Sequence, residues 1–137
     1  MDEQQSPLHG DVVAAAELAY ARFCTGFLTG DWDPFFHLVA DEVDFAWPVE
    51  PGAGRFTGRE GRRLMEEHFR VFGGALRMTD IRRTATTVAG DTVIFEDDSR
   101  GDLAGQAYHA RHCIFFTLRD GRVVGYREYI AQEPAGS

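Results

Sequence analysis

The chain has no lysine. All 14 of its basic residues are arginine, against 22 acidic ones, and the formal net charge is −8. Nucleic acid and anionic membrane surfaces demand a clustered basic face, so this balance excludes both as expected partners. Cysteine is almost as scarce. Cys24 and Cys113 are too few for a disulfide framework and have no metal-ligand spacing, so both read as free buried thiols and no metal is expected. No apolar run approaches the roughly 20 residues of a bilayer span. The opening MDEQQSPLHG lacks the basic region and apolar stretch of a secretory signal, and the expectation is a cytoplasmic protein.

What is present suits a folded domain: 44% hydrophobic residues, including 11 Phe, in a length of 137 that can bury a core without staples. Residues 1–10 read as a flexible lead and 11–133 as a single domain. From Asp11, a candidate N-cap, Val12, Ala16, Ala19, Tyr20, Phe23 and Phe27 recur at helical spacing up to Gly30, a suitable C′ residue. Asp33-Pro34 repeats the start signal for a short helix over 35–39. Val43, Phe45 and Trp47 then alternate with Asp44 and Ala46 as a first strand, closed by Pro48.

In the glycine-rich stretch PGAGRFTG, Thr57 and Glu60 have capping-box spacing, which predicts a third helix over 58–72 with Leu64, Met65, His68, Phe69 and Phe72 on its buried side. From Leu76 onward, turn signals at Ala89-Gly90-Asp91, Gly101 to Gly105 and Asp120-Gly121 divide the chain into four β-rich segments. Helix, helix, strand, helix and a four-stranded meander make an α+β fold, its three helices packed on one side of a curved antiparallel sheet.

Candidate chemistry lies in the strands. In GRVVGYREYI, alternation puts Tyr126, Glu128 and Ile130 on one face and Gly125, Arg127 and Tyr129 on the other. If the first face turns inward, Glu128 is kept from water, and its pKa rises towards neutrality, which suits a general acid or proton shuttle. In VIFEDDSRG, Val93, Phe95, Asp97 and Ser99 share a face, but one bulge would exchange Asp97 for Asp98. Tyr108, Ala110, His112, Ile114, Phe116 and Leu118 form a face that is apolar apart from the imidazole, so His112 points inward, within reach of Glu128. A hydrogen-bonded core histidine and a solvated acidic edge would give the same patterns. On the other side of that strand, Cys113 and Phe115 among polar residues suggest a homodimer through the convex face of the sheet.

The order of elements, with GDWDPFFHLVADEV early and DGRVVGYREYI at the end, resembles the nuclear transport factor 2-like cone, most closely the SnoaL-like polyketide cyclases, the ketosteroid isomerases and the limonene epoxide hydrolases. The resemblance implies a cone-shaped α+β barrel with a hydrophobic ligand held inside by Phe23, Phe45, Trp47, Tyr126 and Ile130, to which the inward patterns add Leu64, His68, Ile114 and Phe116. Where the isomerases have their base and oxyanion tyrosine, this chain has Trp47 and Phe23, so steroid isomerisation is rejected. GYRE resembles the epoxide hydrolase motif around a catalytic acid, which implies Glu128 as one catalytic carboxyl and Asp97 as the other. The water-positioning pair of that family falls on Phe45 and Trp47, and the arginine bridging its carboxylates has no clear counterpart, Arg100 and Arg111 being candidates.

The expectation is therefore an enzyme without cofactor or metal that acts on a hydrophobic small molecule of natural-product type. Cyclisation by the substrate's own nucleophile is favoured over epoxide hydrolysis by water. Glu128, Asp97 and His112 are its catalytic candidates, with Tyr126 or His112 orienting. A small-molecule carrier and an interaction domain with a filled cone are the rivals.

Overall fold

The structure, a computed structural model, describes residues 5–48, 50 and 52–133. Three helices, α1 (Gln5–Thr29), α2 (Asp33–Phe36) and α3 (Gly58–Ala75), accompany six strands: β1 (Val39–Trp47), β2 (Gly54–Phe56), β3 (Leu76–Ala89), β4 (Thr92–Leu103), β5 (Gln106–Arg119) and β6 (Arg122–Gln132). The sheet order is β2-β1-β6-β5-β4-β3. The α+β class and the final four-stranded meander are as expected. Two features differ from the expected antiparallel sheet. The glycine-rich stretch contributes β2, a three-residue edge strand on β1, and β1 pairs with β6 in parallel, placing Phe45 beside Tyr126. Parallel pairing needs a long crossover, and α3 with the meander supplies it.

Boundaries move with the packing. α1 begins at Gln5, six residues before Asp11, so much of the expected lead is helical, while residues 1–4 lie outside the described residues. α2 stops at Phe36, and Val39, assigned from sequence to that helix, opens β1. Thr57 caps α3 as expected, but its side chain makes no capping hydrogen bond. By length and composition, 10–29 is apolar enough to cross a membrane, contrary to the sequence estimate. Here one face of α1 (Ala16, Ala19, Tyr20, Phe23, Phe27) is buried in the core.

The core is aromatic and tightly filled. Trp32 occupies a slot between α1 and α3 that exists because Gly26 and Gly73 have no side chain; a Cβ at either would overlap the indole. Phe23 lies at ring-contact distance from Phe35, Phe69, Phe116 and Tyr126, with centroids 5.6–6.0 Å apart, mostly in the edge-to-face geometry that aromatic quadrupoles favour. The wide aromatic cavity implied by the family resemblance is therefore occupied by the protein's own rings. On α3 the fully buried positions are Gly61, Met65, Phe69 and Gly73, while Leu64, His68 and Phe72 are half-buried.

Candidate active site

Four polar residues lie buried where α1 crosses β4, β5 and β6: Asp97, Ser99, His112 and Glu128, each 7% exposed or less. Strand register brings them together. Asp97 stands directly opposite His112, and Glu128 pairs with Ile114, one diagonal step from His112. No bulge interrupts the β4–β5 register. Asp97 therefore keeps its inward parity, and Asp98 faces the other way, bonded to His109 at 2.7 Å.

Asp97 is crowded with donors. Its Oδ1 accepts from the Ser99 hydroxyl at 2.8 Å and from His112 Nδ1 at 2.8 Å, and its Oδ2 from the Tyr20 hydroxyl at 2.8 Å. A carboxylate accepts but cannot donate, so three converging donors suit the anion. His112 Nε2 lies 3.0 Å from the Tyr108 hydroxyl and 4.0 Å from Glu128 Oε2. The first is a hydrogen bond; the second is a charge contact, too long to be one. Glu128 Oε1 accepts from the Tyr126 hydroxyl. The imidazole thus bridges the two carboxyl groups, the place for which Arg100 and Arg111 were candidates; both arginines are exposed.

Electrostatics divides the roles. Burial pushes the Glu128 carboxyl above its ordinary range, and the Asp97 charge adds to this; the His112 charge and the Tyr126 hydrogen bond oppose it. For His112, burial opposes the cation, yet the Asp97 hydrogen bond and the Glu128 and Asp97 charges outweigh it and raise the pKa. Burial raises the phenols of Tyr20, Tyr108 and Tyr126, so all three remain proton donors. Asp97 has every oxygen engaged and holds His112. Glu128, with one hydrogen bond and a hold on its proton, is the group free to exchange one.

The hollow at this cluster is narrow. Phe23, Cys24 and Phe27 of α1 and Met78 and Ile81 of β3 line it together with Asp97, Ser99, His112 and Glu128, and the centre of a water molecule can move through about 10 Å³ of it. That is the space of about one water. Of the residues expected to bind substrate, only Phe23 lines this hollow. Phe45, Leu64 and His68 instead line a separate open groove beside β2 and α3. Trp47 packs on His68, with ring centroids 4.0 Å apart. Ile114, Phe116 and Tyr126 are core, and Ile130 is half-buried opposite His112. No group of three or more His, Cys, Asp or Glu side chains among the described residues is placed to hold a metal ion.

Three members of the cluster escaped sequence reasoning: Tyr20, Ser99 and Tyr108. Tyr20 sat in the apolar stripe of the first helix, although a buried tyrosine hydroxyl needs a partner. Ser99 and Tyr108 share strand parity with Asp97 and His112, and that parity was the available signal.

The SnoaL-like domain family matches residues 20–126. The chain belongs to that family. Among solved structures, this SnoaL-like chain is similar to an NTF2-like protein from Anabaena variabilis (TM-score 0.80, 22% identity, covering 90% of this chain and 91% of that one). It is also similar to a Bacillus subtilis protein provisionally named an isomerase (0.71, 24%, 88% of each chain). An LEH-like epoxide hydrolase from M. tuberculosis is a third (0.66, 18%, 91% and 86%). At these identities the likeness is one of fold. No curated protein matches the chain.

Proposed function

We propose that this SnoaL-like protein is an acid/base enzyme of the cytoplasm, working without cofactor or metal on a small apolar molecule, and that it catalyses ring closure by the substrate's own nucleophile. The observation that carries this reading is His112 held between Asp97 at 2.8 Å and Glu128 at 4.0 Å in a buried setting. Burying two carboxyl groups and an imidazole is costly when an apolar core would serve. The filled cone fits an interaction domain; the buried polar cluster is what such a domain has no use for.

In an intramolecular epoxide opening, Glu128 donates its proton to the ring oxygen as the C–O bond breaks. The substrate hydroxyl forms the new C–O bond and returns its proton to Glu128, so the product is an isomer of the substrate and the enzyme is regenerated. The His112 cation stabilises the Glu128 carboxylate between the two transfers, and Asp97 holds the imidazole in place. A second reading, epoxide hydrolysis, is favoured by one observation: the polar hollow is about the size of one water, with Asp97, Ser99, His112 and Glu128 around it. That the LEH-like neighbour is named an epoxide hydrolase is in line with it.

One assay separates the readings. A γ,δ-epoxy alcohol is incubated with the protein in oxygen-18 water, and the products are resolved by mass. A cyclic ether of unchanged mass supports ring closure, and a triol carrying the heavy oxygen supports hydrolysis. Glu128→Gln abolishes either, since an amide cannot take part in these transfers. Binding without turnover in the wild type would make the protein a carrier. A homodimer through the convex face of the sheet, where Tyr129 is 56% exposed and Arg127 lies over Phe115 at 4.1 Å, belongs to the same proposal.

A further inference from the structure

The cluster is sealed on most sides by rings. Phe23, Phe45, Phe69, Phe116 and Tyr126 pack between it and the α3 side of the cone, so entry from there would require unpacking the core. The α1–β3 side is different. Cys24 and Phe27 face Met78 and Ile81 across a seam, with Asp97, His112 and Glu128 directly beneath. Arginines fasten the seam at both ends. Arg83 of β3 grips Glu17 of α1 through two hydrogen bonds of 2.7 and 2.9 Å, and Arg77 donates to the Thr29 carbonyl at 3.1 Å. Both fastenings are exposed, and exposed pairs hold weakly. β3 is also the edge strand and carries two bulges, at Met78/Asp80 and Arg83/Ala85, so it has a neighbour on one side only.

We propose that the reacting molecule reaches Glu128 and His112 sideways through the α1–β3 seam, and that Cys24, Met78 and Ile81 set its width: a single-ring or chain-like apolar molecule enters and a fused-ring one does not. This rests on the acid/base reading for what happens inside, but the route itself does not depend on turnover. The width limit follows from the filled cone. The hollow at rest has the space of about one water, so even one ring needs β3 to move outward at the seam. The core side cannot yield, because Phe23 touches five other aromatic residues at 5.6–6.0 Å; the opening is therefore limited to what the edge strand gives.

Cys24 is a built-in reporter, because it lines the seam and burial pushes its thiol up to about 11, so it alkylates slowly while the seam is shut. The full chain is treated with iodoacetamide, and labelling of Cys24 and Cys113 is followed separately by peptide mass. Arg83→Ala, or high salt on the wild type, speeds labelling of Cys24 and leaves Cys113 unchanged. The single-ring probe 2-phenylethanol, at ten times its Kd, slows Cys24 labelling about tenfold, whereas the four-ring steroid androstenedione does not. Ile81→Trp removes that protection while leaving the His112 NMR signals in place.

Equal shielding by the steroid, or no shielding by phenylethanol, overturns the inference. Shielding by phenylethanol in a protein that does not turn over the epoxy alcohol leaves the route standing and sinks the acid/base reading. Turnover with Cys24 unshielded does the reverse.

Discussion

Replacing Asp97 with Ala removes one carboxylate and disappoints three donors at once. Tyr20, Ser99 and His112 each lose a bond of 2.8 Å in a place where Asp97 itself is 4% exposed. The two hydroxyls can turn towards other acceptors, but the imidazole is held between strands and cannot. Breaking a buried charged pair from one side costs about 3–5 kcal/mol, which includes about 1–3 kcal/mol for each donor left without a partner. That is a large share of the roughly 5–15 kcal/mol that keeps a domain folded.

With an m-value of about 2 kcal/mol per molar urea, the unfolding midpoint should fall by about 2 M. The assay is urea unfolding followed by tryptophan fluorescence, with m compared between variants to confirm that only the midpoint moves. The same sample, titrated by NMR, should show the His112 midpoint shifting down, because its strongest support for the cation is gone. Asp98→Ala, on the outer face, is the control and should lose less. A midpoint lowered by under about 0.3 M, or a His112 titration that does not move, would refute the placement of Asp97 among buried donors.

Three further outcomes are expected. The folded pKa values of both Glu128 and His112 are raised, so the folded state binds their protons more tightly than the unfolded state does. Their contribution is fully present below the unfolded values near 4.5 and 6.5 and is lost as pH rises through the folded ones, so wild-type stability falls from mildly acidic to neutral pH, and Glu128→Gln flattens the part that begins near 4.5. Gly61→Ala should cost about 3 kcal/mol, seen as a lower melting temperature, because its Cβ would overlap the Val43 carbonyl oxygen, which belongs to a paired strand and cannot step aside. If the convex face joins two copies, Tyr129→Asp should convert a sedimenting dimer to a monomer with the melting temperature of an isolated chain little changed; a wild type that sediments as a monomer removes that proposal.

The sequence by itself determined the class of fold and the parity of its strands. Asp97, Glu128 and His112 all face inward, because a period of two leaves only two faces and the flanking residues Phe95, Ile114 and Tyr126 choose the buried one. That no bulge in the β4–β5 pairing exchanges Asp97 for Asp98 is a matter of register, which only the structure decides. The long helix was legible for the same kind of reason, through its stripe of Ala16, Ala19, Tyr20, Phe23 and Phe27. Its start was not, because six helical residues beyond the stripe carry no periodic signal.

Tertiary structure decided the rest. The parallel pairing of β1 with β6 joins residues about 80 positions apart in the chain, a contact that no local pattern encodes. Whether the cone is hollow or full depends on ring volumes summed over α1, α3 and four strands, so Phe45 and Trp47, walls of a ligand cavity according to the family resemblance, pack against Phe69. Tyr20 meets Asp97 across 77 residues of chain only because α1 lies over β4. Sequence parity can say which side chains point inward; which of them touch is fixed by register and by the angle at which a helix crosses a sheet.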